Sequence, residues 1–73
     1  MTAIIWSKYA CPNCDQAKAL LTQNGIKYEE KKIGDGYTKE DLLEEIPAAR
    51  SVPQILLNGK LIGGFTELKK VLT

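Results

Sequence analysis

A chain of 73 residues holds one small hydrophobic core, and 44% apolar with 26% charged residues describes a globular domain rather than a disordered segment. A formal charge of +1, with one Trp, three Tyr, one Phe and no basic cluster, gives no basis for binding nucleic acid or an anionic membrane surface. No apolar run approaches the ~20 residues of a membrane span, and Met1-Thr2-Ala3 has no basic leader, so a soluble, cytoplasmic protein is expected.

Ala3 to Trp6 is apolar and partly β-branched without polar alternation, which predicts a short strand buried on both faces. Cys11-Pro12 opens a helix, because the missing proline N–H costs nothing in a first turn. Cys14, Ala17, Leu20 and Leu21 fall on one face of it, and Asn24-Gly25 ends it. Ile26 to Ile33 is charged and weakly alternating, as an edge strand is, and Gly34-Asp35-Gly36 breaks it. Thr38 and Asp41 have capping-box spacing for a second helix with Leu42, Leu43 and Ile46 on its apolar face, stopped by Pro47. Pro53 to Leu57 and Lys60 to Ile62 form a hairpin about Asn58-Gly59. After Gly63-Gly64, a last helix places Leu68, Val71 and Leu72 on one face. The order β-α-β-α-β-β-α combines a parallel pair across the first crossover with an antiparallel hairpin. It predicts an α/β fold: one domain, residues 1–73, with a four-stranded mixed sheet flanked by three helices.

Cys11 and Cys14 are the only two cysteines, and the chain has no His. Two are too few for a disulfide scaffold, and a closed zinc site would need carboxylates or a second chain. Free cysteines are often buried as small apolar residues, but that reading does not account for a pair at a strand-to-helix junction. The first turn of a helix has unpaired N–H groups whose field favours a thiolate, the nucleophilic form of cysteine. C-x-x-C beside a βαβ pattern is the spacing of a redox pair. The placement predicts unequal roles, with Cys11 the exposed nucleophile and Cys14, one turn in, the more buried resolving thiol.

Four separated motifs extend this reading over nearly the whole chain: Lys8 with Cys11-Pro12-Asn13-Cys14, Ser51-Val52-Pro53, Asn58-Gly59-Lys60, and Gly63-Gly64-Phe65-Thr66-Glu67. In these the sequence resembles the glutaredoxins of the thioredoxin-like superfamily. The resemblance implies a thioredoxin-like fold with a cis Val52-Pro53 bond against the cysteine pair. It implies an oxidoreductase that reduces protein disulfides and glutathione mixed disulfides, with glutathione as the reducing co-substrate, no metal in the monomer, and catalytic Cys11 and Cys14. Lys8 and Arg50 match the positions that meet the glycyl carboxylate of glutathione, and Val52, freed by Pro53, the position that pairs with its backbone. The γ-glutamyl carboxylate is expected at the Thr66 and Glu67 N–H groups, in keeping with the general affinity of helix N-termini for anions. Gly63 and Gly64 would admit the tripeptide close to the backbone.

Two positions depart from the family pattern. Asn13 replaces the usual Tyr, exchanging an aromatic contact with glutathione for a hydrogen bond, and Glu67 stands where Asp or Ser is frequent. Tyr9, just before the cysteines, is a candidate apolar wall. The family also includes redoxins reduced by thioredoxin reductase that donate electrons to ribonucleotide reductase, and glutathione-ligated [2Fe–2S] carriers bridging two chains. Those remain the alternatives to a monomeric glutathione-dependent enzyme.

Overall fold

A computed structural model describes all residues from Met1 to Thr73. The elements are β1 (Thr2–Lys8), α1 (Pro12–Gln23), β2 (Lys27–Ile33), α2 (Lys39–Glu45), β3 (Gln54–Leu57), β4 (Lys60–Gly63) and α3 (Phe65–Leu72). The side-chain alternation of β1 divides the interior in two, since neighbouring residues on a strand point to opposite faces. Ala3 and Ile5 join Ala17, Leu21, Ile26, Ile55, Leu57 and Leu68 in the larger cluster. On the other face Trp6 packs with Leu42 and Ile46, and Ile4, Ile33, Val52 and Leu56 close around them. The unalternating apolar run thus reports a strand covered on both sides, as expected.

The sheet order is β2-β1-β3-β4, with β1 parallel to β2 and antiparallel to β3, and β3 antiparallel to β4. The charged strand β2 therefore occupies an edge. At the hairpin, Asn58 and Gly59 have φ of 51° and 82°, the left-handed conformations a two-residue turn of matching twist requires. Ile55 faces Gly63 while Leu56 faces Leu61, so Ile62 is the extra residue of a β-bulge.

The helix ends follow local chemistry. Thr38 Oγ1 accepts from the Asp41 N–H and an Asp41 carboxylate oxygen accepts from the Thr38 N–H, completing the anticipated capping box. One assignment needs correction: Val71 is 56% exposed. On α3, Phe65, Leu68 and Leu72 form the stripe that packs on the core, and Val71 lies roughly 90° away from its centre at 3.6 residues per turn.

A polar network ties β1, β2 and α1 together. The fully buried Ser7 hydroxyl donates to Glu30 Oε2, which also accepts from Lys18 Nζ at 3.1 Å. Burial pushes the Glu30 carboxyl up, but the Ser7 and Lys18 hydrogen bonds together outweigh it and hold the group below its ordinary value. The Glu30 hydrogen bond chiefly holds Lys18 above its own ordinary value, against a smaller opposing effect of burial. A carboxyl lowered on folding adds stability above its unfolded pKa and loses it as pH falls through the folded pKa. A lysine raised on folding adds stability below its unfolded pKa and loses it as pH rises through the folded one. The stability difference between wild type and Glu30→Gln should therefore be level from about pH 5 to 9. Below the unfolded carboxyl value of 4.5 it should shrink. Urea unfolding across that range reads this directly, and a difference still undiminished at low pH would contradict it.

Candidate active site

The site forms where β1 hands over to α1. Lys8 ends the strand, Tyr9 and Ala10 turn the chain, and Cys11 caps the helix, with Pro12 in its first turn. Ala10 has a φ of 53°, an uncommon left-handed conformation for a residue with a Cβ, and it makes the reversal possible within two residues. Cys11 and Cys14 are joined by a disulfide, their Cα atoms 5.2 Å apart. The Cys14 N–H points at Cys11 Sγ from 3.2 Å, so one orphan donor of the helix start is aimed at the sulfur. That is the arrangement that favours negative charge on Cys11 once the bond is reduced.

Cys11 is not the exposed residue expected from its edge position. It is 7% exposed, against 1% for Cys14, so the order of burial holds while both are buried. The Val52-Pro53 loop lies against the sulfur. Val52-Pro53 is cis, and Pro53 is buried. Cys11 Sγ lies 4.0 Å from Val52 O. In the disulfide there is no S–H to donate, so this is an approach and not a hydrogen bond.

Lys8, Ala10, Cys11, Pro12, Asn13 and Val52 line a shallow depression of about 290 Å³ over the disulfide. A second, more apolar groove of about 230 Å³ adjoins it, sharing Lys8 and Val52 and adding Arg50, Ser51 and Ala49 with Ile33 and residues of α2. Lys8, Cys11, Asn13, Arg50 and Val52 are thus brought to one surface. Pro53, Gly64, Thr66 and Glu67 line neither depression. The start of α3 approaches that surface through Pro53: a Cβ on Gly64 would sit 3.3 Å from the Pro53 carbonyl oxygen, so a larger residue would push the two apart by a few tenths of an ångström.

The start of α3 already holds an anionic side chain. Glu67 Oε1 accepts from the Gly64 N–H at 2.8 Å, and a Cβ on Gly63, whose φ is 114°, would stand 3.0 Å from that same oxygen. Thr66 is exposed. Tyr9 is not a wall of either depression. It is 59% exposed, with Lys32 Nζ 4.6 Å from its ring centroid and its edge against Gly34. The contributions of Ile33, Lys39, Leu42 and Leu43 to the groove were not anticipated: Ile33 closes a charged edge strand, Leu42 and Leu43 belong to the apolar face of a helix, and nothing in the sequence singles out Lys39. No three His, Cys, Asp or Glu side chains cluster. The thiolates of one chain number two. A [2Fe–2S] cluster with four thiolate ligands would therefore draw on a second chain or on glutathione.

Residues 3–62 match the family model described as Glutaredoxin. The chain is 34% identical over 64 residues to Glutaredoxin 3 of Escherichia coli (strain K12), spanning 88% of this chain and 77% of that one. It is 38% identical over 64 residues to a glutaredoxin of Ricinus communis, spanning 84% and 63%. Among solved structures, glutaredoxin 1 from Francisella tularensis complexed with cacodylate superposes with a TM-score of 0.81 at 32% identity, over 94% of this chain and 88% of that one. A buckwheat glutaredoxin–glutathione complex superposes with a TM-score of 0.79 at 26% identity, over 93% and 64%.

Proposed function

This chain belongs to the glutaredoxin family, and we propose that it is a glutathione-dependent dithiol oxidoreductase acting on protein disulfides and glutathione mixed disulfides. The observation that carries the proposal is the Cys11–Cys14 disulfide at the start of α1, with Cys11 Sγ beside the Val52 carbonyl. In the reduced protein the Cys11 thiolate attacks one sulfur of a substrate disulfide. A Cys11–substrate disulfide forms, and the other substrate sulfur leaves as a thiolate. Cys14 then attacks Cys11 Sγ, releasing the substrate thiol and forming the bond seen in the structure. One glutathione thiolate opens that bond to give Cys11–glutathione, and a second removes the first as oxidised glutathione. Reduction by the glutathione pool suits the glutaredoxin potentials of about −200 to −230 mV.

Glutathione would lie extended past Val52, with its glycyl carboxylate toward Lys8 and Arg50 and its γ-glutamyl carboxylate toward Thr66 and Glu67. The buckwheat complex supports glutathione as the ligand. In a glutathione titration followed by amide NMR, shifts are expected at Lys8, Val52 and Thr66, and silence at all three would overturn this reading.

One observation favours a different electron source. The Glu67 carboxylate, held on the Gly64 N–H, sets a like charge beside the Thr66 and Glu67 N–H groups where the γ-glutamyl carboxylate is expected, which weakens glutathione and leaves room for a redoxin reduced by thioredoxin reductase. Reduction of the oxidised protein by glutathione, compared with NADPH and thioredoxin reductase, separates the two. On the glutathione reading, Glu67→Gln keeps the cap to Gly64 but removes the like charge, so KM for glutathione should fall about two- to fivefold with kcat unchanged. An unchanged KM would show that Glu67 does not oppose the ligand.

A further inference from the structure

The groove beside the redox pair carries more positive charge than glutathione can use. Lys8, Lys39 and Arg50 line it, no acidic side chain does, and Leu42, Leu43 and Val52 supply apolar surface. All three cations are exposed. The acids of α2 do not neutralise them from within: Asp41 caps Thr38, Glu45 pairs with Lys31 at 2.9 Å, and neither Glu40 nor Glu44 lines the groove. Because the groove shares Lys8 and Val52 with the depression over Cys11, a chain held at Val52 runs on into it.

Direction follows from the glutathione orientation of the proposed function, on which this inference rests. With its γ-glutamyl end at α3 and its glycyl end at Lys8 and Arg50, glutathione points its C-terminus into the groove and stops there. An extended protein segment advances about 3.3 Å per residue, so two or three further residues carry it onto α2. We propose that this groove reads the residues on the C-terminal side of the target cysteine in a protein substrate. An aliphatic side chain packs on Leu42 and Leu43, and a carboxylate one or two residues beyond the glycine position meets Lys39. The favoured partner is an extended acidic and aliphatic segment; opposite charge would both speed its encounter and reject basic segments.

The test uses the full chain as Cys14→Ser, reduced, with peptides carried as mixed disulfides of 5-thio-2-nitrobenzoate. The Cys11 thiolate attacks the peptide sulfur, a Cys11–peptide disulfide forms, and the coloured thiolate leaves with the electron pair of the broken bond. No other oxidant or reductant is needed. The peptide Gly-Cys-Gly-Leu-Glu-Gly, acetylated and amidated at its ends, should react about tenfold faster than its reversed order, a difference of about 1.4 kcal/mol in barrier. The reversed peptide is capped in the same way, so that no terminal carboxylate falls at the glycine position. Lys39→Glu and Leu43→Ser should each bring the forward peptide down to the reversed one, with the glutathione derivative unaffected. Lys39→Glu alters an exposed residue and keeps the test decisive if Leu43→Ser loosens α2. Equal peptide rates, or a preference that survives Lys39→Glu, overturn the groove assignment even when the glutathione derivative outpaces that of free cysteine. A glutathione derivative no faster than the cysteine derivative overturns the glutathione orientation, and the direction assigned here with it.

Discussion

Cys11→Ser is expected to abolish turnover of protein disulfides and glutathione mixed disulfides alike, a fall of roughly 10³-fold or more, the scale lost with a nucleophile. Cys14→Ser should lose protein-disulfide reduction but keep deglutathionylation within about tenfold, a change of ~1.4 kcal/mol in barrier. The asymmetry comes from geometry rather than chemistry, since both residues are thiols of the same C-x-x-C. Cys11 caps α1, receives the Cys14 N–H at 3.2 Å, and lines the depression over the disulfide. Cys14 is 1% exposed and lines neither depression, so an outside disulfide cannot reach it until Cys11 has formed the mixed disulfide. In the proposed cycle deglutathionylation needs only the Cys11–glutathione intermediate and a second glutathione, so Cys14 is expected to be dispensable there. Steady-state rates on a glutathionylated peptide and on an insulin-type disulfide measure both reactions. Equal loss from the two variants would remove the basis for separate roles.

What could be read in the sequence was local. The Cys11-Pro12 start, the Thr38–Asp41 box and the Asn58-Gly59 turn each rest on residues within four positions of one another, and the structure contains all three. The edge position of β2 was legible from its charges. Contacts between distant segments were not. Ser7, Lys18 and Glu30 come from β1, α1 and β2, and nothing in their spacing marks a network. The groove takes Ile33 from β2, Leu42 and Leu43 from α2 and Arg50 from the following loop, so it exists only after α2 has folded against β1. The surroundings of Cys11 had the same origin, since Val52, which lies against its sulfur, is 41 residues away. Tyr9 is a surface aromatic rather than a wall of the site, since strand alternation ends at Lys8 and the left-handed Ala10 redirects the chain, turning the ring toward Gly34 and Lys32.

Leu68→Ala is expected to cost about 2–5 kcal/mol, a large share of the ~5–15 kcal/mol that holds a typical domain together. A chain this small falls toward the lower end of that range. Leu68 is fully buried in the larger core with Leu21 and Ile55, whereas Phe65 and Leu72 on the same helix are only partly buried. An eight-residue helix is not stable alone, isolated helices being marginal below ~12–15 residues. Its order therefore depends on packing, most of all at Leu68, the one fully buried residue of its stripe. The start of α3 in turn sets Gly64 against the Pro53 carbonyl and Glu67 over Gly64, so a loosened helix should blur the γ-glutamyl end of the glutathione site before the glycyl end. The expected result is a lower urea midpoint, with glutathione shifts weakened at Thr66 more than at Lys8. Val71→Ala on the same helix, at a position 56% exposed, should change stability by less than about 0.5 kcal/mol. If the two substitutions cost the same, α3 is not anchored through Leu68, and its start must be held by the Pro53–Gly64 contact instead.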